Sequence, residues 1–399
     1  MAQCLDRIIA SMDTGVDDAL ALAYLLGSAD ECELSGVIAS YGNVDANTAY
    51  ANTRAVLDLF GRSDIPVFLG SEHPSWADAF IPDAGCAQFH GDDGLGNTWL
   101  AGSGALADGA GVPGDMSGDD MSVDVPDGVV SVGGYLAGDV HAHPALGSYP
   151  RVGRSRSVDR PQSATSTALV SGGTRRRSVD AADGIEYLIE QVREFGRDVT
   201  VLSTGPLTDV DAAITRAPDI ASKLRLVMMG GTLTQPGNCW DAVAETNIIQ
   251  DPEAANRVFH SGADITMVGL DVTHQCLLTQ SAADRWRATG TKRGRFLADL
   301  ADFSIKANLE ADTALFSGGM PLHDPLAAAV ALDSSLVDCF DLALRAETNT
   351  GDFNGVRGRT TGDPVGLVNH SMPHVHVALG VDSGRFLDEF AERMAEVCR

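Results

Sequence analysis

The segment Arg7–Leu26, RIIASMDTGVDDALALAYLL, limits most strongly what this chain can fold into. The apolar run Ile8-Ile9-Ala10 has the character of a buried strand and leads to Asp13. A turn containing Gly15 follows, and Asp17 and Asp18 open an alanine- and leucine-rich run with helical spacing. Buried strand, acidic turn and helix put three carboxylates at the carboxyl end of a strand, where open α/β sheets bind ligands. Carboxylates held that close repel one another, and a hard divalent cation is the usual remedy. Two acids at a helix start also complement the helix dipole, and a chain with 55 acidic residues forms such clusters by chance. The segment alone leaves both readings open.

The rest of the chain repeats the strand–helix alternation. Residues 34–41 read as a second buried strand, 46–61 as a helix ending at a glycine, and 65–70 as a third strand. After position 181 come a helix at 183–196 and a strand, turn and helix start over 198–214. Strands follow at 224–233 and 264–273, separated by a helix at 251–262. Residues 281–316 read as largely helical, and His323-Asp324-Pro325 opens another apolar helix. Positions 341–379 read as strands and turns, and 386–397 as a closing amphipathic helix. The pattern predicts an open, mostly parallel, Rossmann-like α/β sheet flanked by helices, in one large domain built from 1–100 and 181–399. Between them, residues 101–180 hold 14 of the 43 glycines, an acidic first half and an arginine-rich second half, without sustained periodicity. Such a composition buries little apolar surface, so a disordered or loosely packed insertion is expected there.

Charge narrows the partners. The formal net charge of −27 argues against nucleic acid and anionic membranes as partners. Three lysines stand against 25 arginines, and acid-rich, lysine-poor surfaces suit a protein that stays hydrated in high salt. The seven cysteines are scattered, with no CxxC pair, so neither a disulfide framework nor a zinc site is indicated. With no signal-like start and no apolar run of about 18 residues, a halophilic cytoplasm is the expected location.

Several motifs then occur in order: SMDTGVDDALAL at the start, SYGN at 40–43, FHGDDGLG at 89–96, STGPLTD at 203–209 and MGG at 229–231. AETNIIQDPEAA at 244–255, GLDVTHQCLLT at 269–279 and PLHDPLAAA at 321–329 complete the set. The chain resembles the inosine-uridine-preferring nucleoside hydrolases, whose opening signature is DxDPGxDDAxAL, over nearly everything outside 101–180. The resemblance implies a bound Ca²⁺ held by Asp13, Asp18, Asp324 and the backbone carbonyl of Thr204, an all-oxygen set suited to calcium. It implies Asp13 as the general base that activates a water, and Asp17, Asn43, Asn238, Glu245 and Asn247 as ribose contacts. By the same resemblance, His323 and His90 lie near the departing base, and the enzyme acts on nucleosides as a dimer or tetramer. Each residue also has a plainer reading: His323 as a cap, His90 as a surface loop residue, Asn238 as a turn residue.

Two positions depart from the signature: Ser11 stands at its first Asp and Thr14 at its Pro. A base-stacking aromatic from the part beyond Asp324 has to be Phe340 or Phe353, the only aromatics there before the closing helix. Two other functions compete. A phosphatase with an Asp-rich loop needs a nucleophilic Asp where Ser11 stands. A non-catalytic nucleoside- or sugar-binding protein would keep the pocket without the rate.

Overall fold

The computed structural model describes residues 5–82, 84–98, 183–239, 243–350 and 356–399. The expected insertion at 101–180 and Phe353 lie outside the described residues. Eight strands form the main sheet: β1 (Asp6–Met12), β2 (Cys32–Ala39), β3 (Val67–Leu69), β4 (Val199–Ser203), β5 (Arg225–Met229) and β6 (Asp264–Val268), then β9 (Val337–Leu342) and β12 (Val375–Val381). Two small ribbons pair β7 (Leu277–Leu278) with β8 (Met320–Pro321), and β10 (Leu344–Ala346) with β11 (Thr360–Gly362). The spatial order is β3-β2-β1-β4-β5-β6-β12-β9. All neighbours are parallel except β9, which runs antiparallel to β12 at the edge. The mostly parallel sheet expected from the alternation is therefore the sheet observed.

Helices cover both faces because the central strands are apolar on both. Along β1, Ile8, Ala10 and Met12 join one core and Ile9 joins the other, as the strand's two-residue period requires. The first core takes in α1 (Val16–Gly27), α2 (Ala46–Leu59), α9 (Gln280–Ala288) and α10 (Lys292–Ala311). It also holds α12 (His323–Leu332) and the closing α13 (Ser383–Val397). The second is built from α4 (Gly184–Phe195), α5 (Thr208–Arg216) and α7 (Pro252–Phe259). Short helices α3 (Ala84–His90), α6 (Thr246–Gln250), α8 (Leu270–Thr273) and α11 (Thr313–Phe316) lie in the connections. Among the described residues, no helix is long and apolar enough to cross a membrane.

Three local expectations change. The strand read over 224–233 ends at Met229, because Gly230 and Gly231 take positive φ and turn the chain. The strand read over 264–273 ends at Val268, because Gly269 turns the chain and Leu270–Thr273 wind into α8. His90 is not in an open loop but is the last residue of α3.

The strand order decides where a ligand goes. From β1 the chain steps to β2 and β3 on one side, then returns with β4 on the other. The carboxyl ends of β1 and β4 thus flank the switch point of the sheet, where doubly wound folds open a crevice.

Candidate active site

Asp13 follows the last residue of β1 and Thr204 follows the last residue of β4. The Thr204 amide donates to the Ser11 carbonyl at 2.9 Å, which fixes the two strand ends side by side. Asp17 and Asp18 occupy the first turn of α1, and Asp324 the first turn of α12. Four carboxylates thereby meet in one buried place: Asp13 and Asp18 are fully buried, Asp324 nearly so, and Asp17 is 8% exposed. Oxygens of Asp17, Asp18 and Asp324 all lie within 4.8 Å of one another.

Their donors are unevenly shared. Asp18 is held on both oxygens, Oδ1 by the Thr204 hydroxyl at 2.6 Å and Oδ2 by the Gly15 amide at 2.8 Å and Asn43 Nδ2 at 3.3 Å. Asp13 Oδ2 accepts from the Asn43 amide at 2.7 Å, while Asp13 Oδ1 is buried and, among the described residues, without a partner. Asp17 Oδ1 is likewise buried and unpartnered, with His90 Nδ1 at 3.6 Å. Burial pushes all four acids upward, and mutual repulsion adds to it for Asp13, Asp18 and Asp324. Asp17 and Asp18 rise to about 6, and Asp13 and Asp324 rise well above the usual carboxylate range. Buried, unpaired carboxylate oxygens are expensive unless protonated or bound to a cation, and the all-oxygen donor set fits a hard divalent ion.

Glycines permit this crowding. A Cβ on Gly42 would stand 1.9 Å from Asp13 Oδ2, and one on Gly15 would stand 2.4 Å from His90 Nδ1. The SYGN and DTG turns therefore need glycine where backbone passes carboxylate and imidazole.

A second cluster is basic in type but uncharged. The Val16 amide donates to His90 Nδ1 at 3.2 Å, so that nitrogen carries the lone pair. His323 Nδ1 lies 2.8 Å from the Thr273 hydroxyl. Its ring stands 5.6 Å from that of His274, which meets the edge of Phe316 at 5.5 Å. Burial lowers His90 and His274 to about 4 and His323 well below its usual value, where the two other imidazoles add to the effect. At neutral pH all three are neutral N–H donors. His274 and Phe316 carry no part in the sequence reading, although GLDVTHQCLLT contains the histidine. Its only signal is adjacency to Thr273, which appears when α8 packs against the start of α12. Phe340 sits on β9, three strands out from β5, and is 56% exposed. It is not positioned as a base-stacking group, because the antiparallel edge strand carries it away from the switch point.

The remaining expected contacts surround the end of β5. Asn247 Nδ2 donates to the carbonyls of Thr204 at 2.7 Å and Met229 at 3.2 Å, which joins β4 to β5 beside the acids. Glu245 caps α6, accepting from the amides of Asn247, Gly231 and Ile248. Asn238 Oδ1 accepts from the Thr246 amide and hydroxyl at 3.0 and 3.1 Å. Thus Asn247 lies beside the Thr204 carbonyl, whereas Glu245 and Asn238 are engaged with backbone and hydroxyl groups at the start of α6.

The sequence model described as "Inosine-uridine preferring nucleoside hydrolase" matches residues 8–388. A pyrimidine-specific ribonucleoside hydrolase RihA of Enterobacter sp. (strain 638) is 30% identical over 390 residues, covering 98% of this chain and 97% of that protein. The solved structure of a purine-preferring ribonucleoside hydrolase from Gardnerella vaginalis superposes with a TM-score of 0.74 at 34% identity, covering 98% of this chain and 99% of that one. A plant nucleoside hydrolase gives 0.72 at 26% identity, covering 98% and 99%. With that match running from β1 into the closing helix, the chain belongs to the inosine-uridine preferring nucleoside hydrolase family, enzymes that cleave N-glycosyl bonds.

Proposed function

We propose that this chain hydrolyses ribonucleosides to ribose and free base, with Asp13 as general base in a pocket built for Ca²⁺. The observation that carries the reading is the buried cluster of Asp17, Asp18 and Asp324 with Asp13 beside it, in which Asp13 Oδ1 and Asp17 Oδ1 have no partner among the described residues. Asp13, Asp18, Asp324 and the Thr204 carbonyl would hold the ion, with Asp17 close enough to join them. When bound, the cation offsets the clustered negative charge and lowers the pKa of a water in the pocket.

The protein's own groups do the rest. The Asn43 amide anchors Asp13 Oδ2, which leaves Oδ1 as the atom that takes the water's proton. The water oxygen bonds to the anomeric carbon as the C–N bond breaks, and the bonding pair leaves with the base. Oxocarbenium character develops on the ribose, beside carboxylates that stabilise positive charge. Asp17 and Asn43 meet the sugar hydroxyls, and Asn238, Glu245 and Asn247 shape the far wall of that subsite. The departing nitrogen accepts a hydrogen bond from an imidazole N–H of His323, with His90 in the same imidazole cluster, and takes its proton from water, while Asp13 returns the proton it took to solvent. Thr273 and His274 hold His323 in place.

The relatives' names point to different bases, pyrimidine for one and purine for another. The test is therefore a reducing-sugar assay in high salt with Ca²⁺, run across inosine, uridine, cytidine, adenosine and guanosine. Release of ribose from at least one supports the reading. Binding of nucleosides without release from any of them supports the non-catalytic alternative instead.

A further inference from the structure

Ser11 departs from the family signature, and its surroundings give that departure a role. Its side chain is buried, and its hydroxyl donates to Asp209 Oδ2 at 2.9 Å. Asp209, in the first turn of α5, is itself fully buried. Its other oxygen accepts from the Ser71 amide at 2.6 Å, just beyond β3. Gly70 makes room for this carboxylate, since a Cβ there would stand 2.3 Å from Asp209 Oδ2.

Two lines of hydrogen bonds run from this joint to the acids. The Ser11 carbonyl accepts from the Thr204 amide at 2.9 Å, and the Thr204 hydroxyl donates to Asp18 Oδ1 at 2.6 Å. The Ser71 carbonyl accepts from the Tyr41 amide at 3.1 Å, two residues before Asn43, whose side chain donates to Asp18 Oδ2 and whose amide donates to Asp13. Both side-chain donors that hold Asp18 are thus tethered to one buried serine–aspartate contact.

We propose that Ser11 and Asp209 are a matched positioning pair for the acidic pocket, with Ser11 required as the donor because position 209 carries the carboxylate. Neither residue touches substrate; they act through Thr204 and Asn43. The pairing rule is chemical. A carboxylate at position 11, as in the family signature, would face the buried carboxylate of Asp209 with no proton between them. An Asn at 209 would remove the conflict, donating from Nδ2 to an Asp at 11 while its Oδ1 keeps the Ser71 amide.

The inference rests on the hydrolase reading for its kinetic consequence, and the experiment keeps the two apart. S11A, S11N, S11D, D209N and S11D/D209N are made in the full chain. Each is assayed for kcat and KM on the best nucleoside, for Ca²⁺ affinity by calorimetry, and for Tm. S11N has the size of S11D but can donate, so it separates charge from bulk. S11A is expected to lower kcat about tenfold with little change in KM, because a small misplacement of reacting groups costs up to about a hundredfold. S11D is expected to lose at least about a hundredfold in kcat and about tenfold in Ca²⁺ affinity. S11N and S11D/D209N are expected to recover both to within about tenfold of the parent, and D209N alone to stay within a similar margin. Equal damage in S11N and S11D, or no recovery in S11D/D209N, overturns the pairing. If the parent releases no ribose from any nucleoside, the hydrolase reading fails, while the Ca²⁺-affinity and Tm cycle still decides the pair.

Discussion

The stability conferred by Ca²⁺ should shrink as pH falls through 6. In the ion-free protein Asp17 and Asp18 keep their protons up to about pH 6, while the unfolded chain releases them near 3.8. The native state binds more protons in that window. These groups therefore favour the fold at low pH, and that contribution is lost as pH rises from about 4 to 6. His90 and His274, lowered to about 4 from 6.5, act in the opposite sense: they weaken the fold in acid and cease to do so above their unfolded value. The histidine contribution is common to the ion-free and ion-bound protein, whereas that of the carboxylates changes when an ion binds, so the informative quantity is the increment in Tm on adding Ca²⁺. An ion that needs these carboxylates ionised must displace their protons below pH 6, its affinity falls roughly tenfold per pH unit for each, and Asp13 and Asp324, raised further, add to the fall. From about pH 7.5 to about pH 5 one unit of that fall is traversed, roughly 1.4 kcal/mol per group and about 3 kcal/mol for the two. For a domain of roughly 300 residues the unfolding entropy is about 0.6 kcal/mol/K, so these two groups alone should make the Ca²⁺ increment about 5 °C smaller at the lower pH, and Asp13 and Asp324 should widen the difference. Chelator-treated protein in high KCl, melted with and without millimolar CaCl₂ at each pH, measures it. D18N should reduce the pH difference. A Ca²⁺ increment as large at pH 5 as at pH 7.5 refutes the argument that these carboxylates receive the ion.

Other outcomes follow from the same geometry. D13N should lower kcat by about 10³-fold or more with an unchanged circular-dichroism spectrum, since general bases contribute about 10²–10⁴; retention of more than a tenth of the rate contradicts the role of Asp13. G42A puts a methyl group 1.9 Å from Asp13 Oδ2 and should cut kcat about a hundredfold while lowering Tm, and a fully active G42A would show that the turn yields freely. H323A should slow inosine or uridine about a hundredfold yet scarcely slow a riboside whose leaving group is weakly basic, and equal losses on both would remove His323 from stabilising the leaving group. Raising KCl from about 0.1 M to about 2 M should raise Tm by several degrees, because a Debye length of about 3 Å at 1 M screens the self-repulsion of a chain of charge −27. A salt-independent Tm would count against the halophilic reading.

Much of the fold was legible because apolar strands and Ala/Leu-rich helices have different periods. The run Ile8-Ile9-Ala10 marked β1, and Asp17-Asp18 before alanines marked α1. The limit of β6 was not legible: DVT has β-branched residues that suit a strand, and only the tertiary turn at Gly269 winds it into α8. At the site, the acids were visible as a cluster, but their division of donors was not. That Asp13 and Asp17 each keep one unpartnered oxygen, while Asp18 keeps none, depends on where Thr204 and Asn43 arrive. His274 escaped notice because a histidine after Thr273 has no local signature, and only the packing of α8 on α12 sets it beside His323. Ser11 was visible as an exception, and its meaning required Asp209, 198 residues later.

The central position of β1 also governs when the acidic pocket comes into being. The acidic turn is complete by Asp18, yet the hydroxyl that holds Asp18 belongs to Thr204, 186 residues downstream, and Asp324 lies further along still. Contacts of such sequence separation close late, after the cost of ordering the intervening chain has been met. Any stretch of this chain that stops before Asp324 therefore contains the acidic turn without all the partners that complete it. On this topology the proposed ion site is assembled only when Asp324 joins the acidic turn, so its appearance during folding marks the packing of α12 against α1.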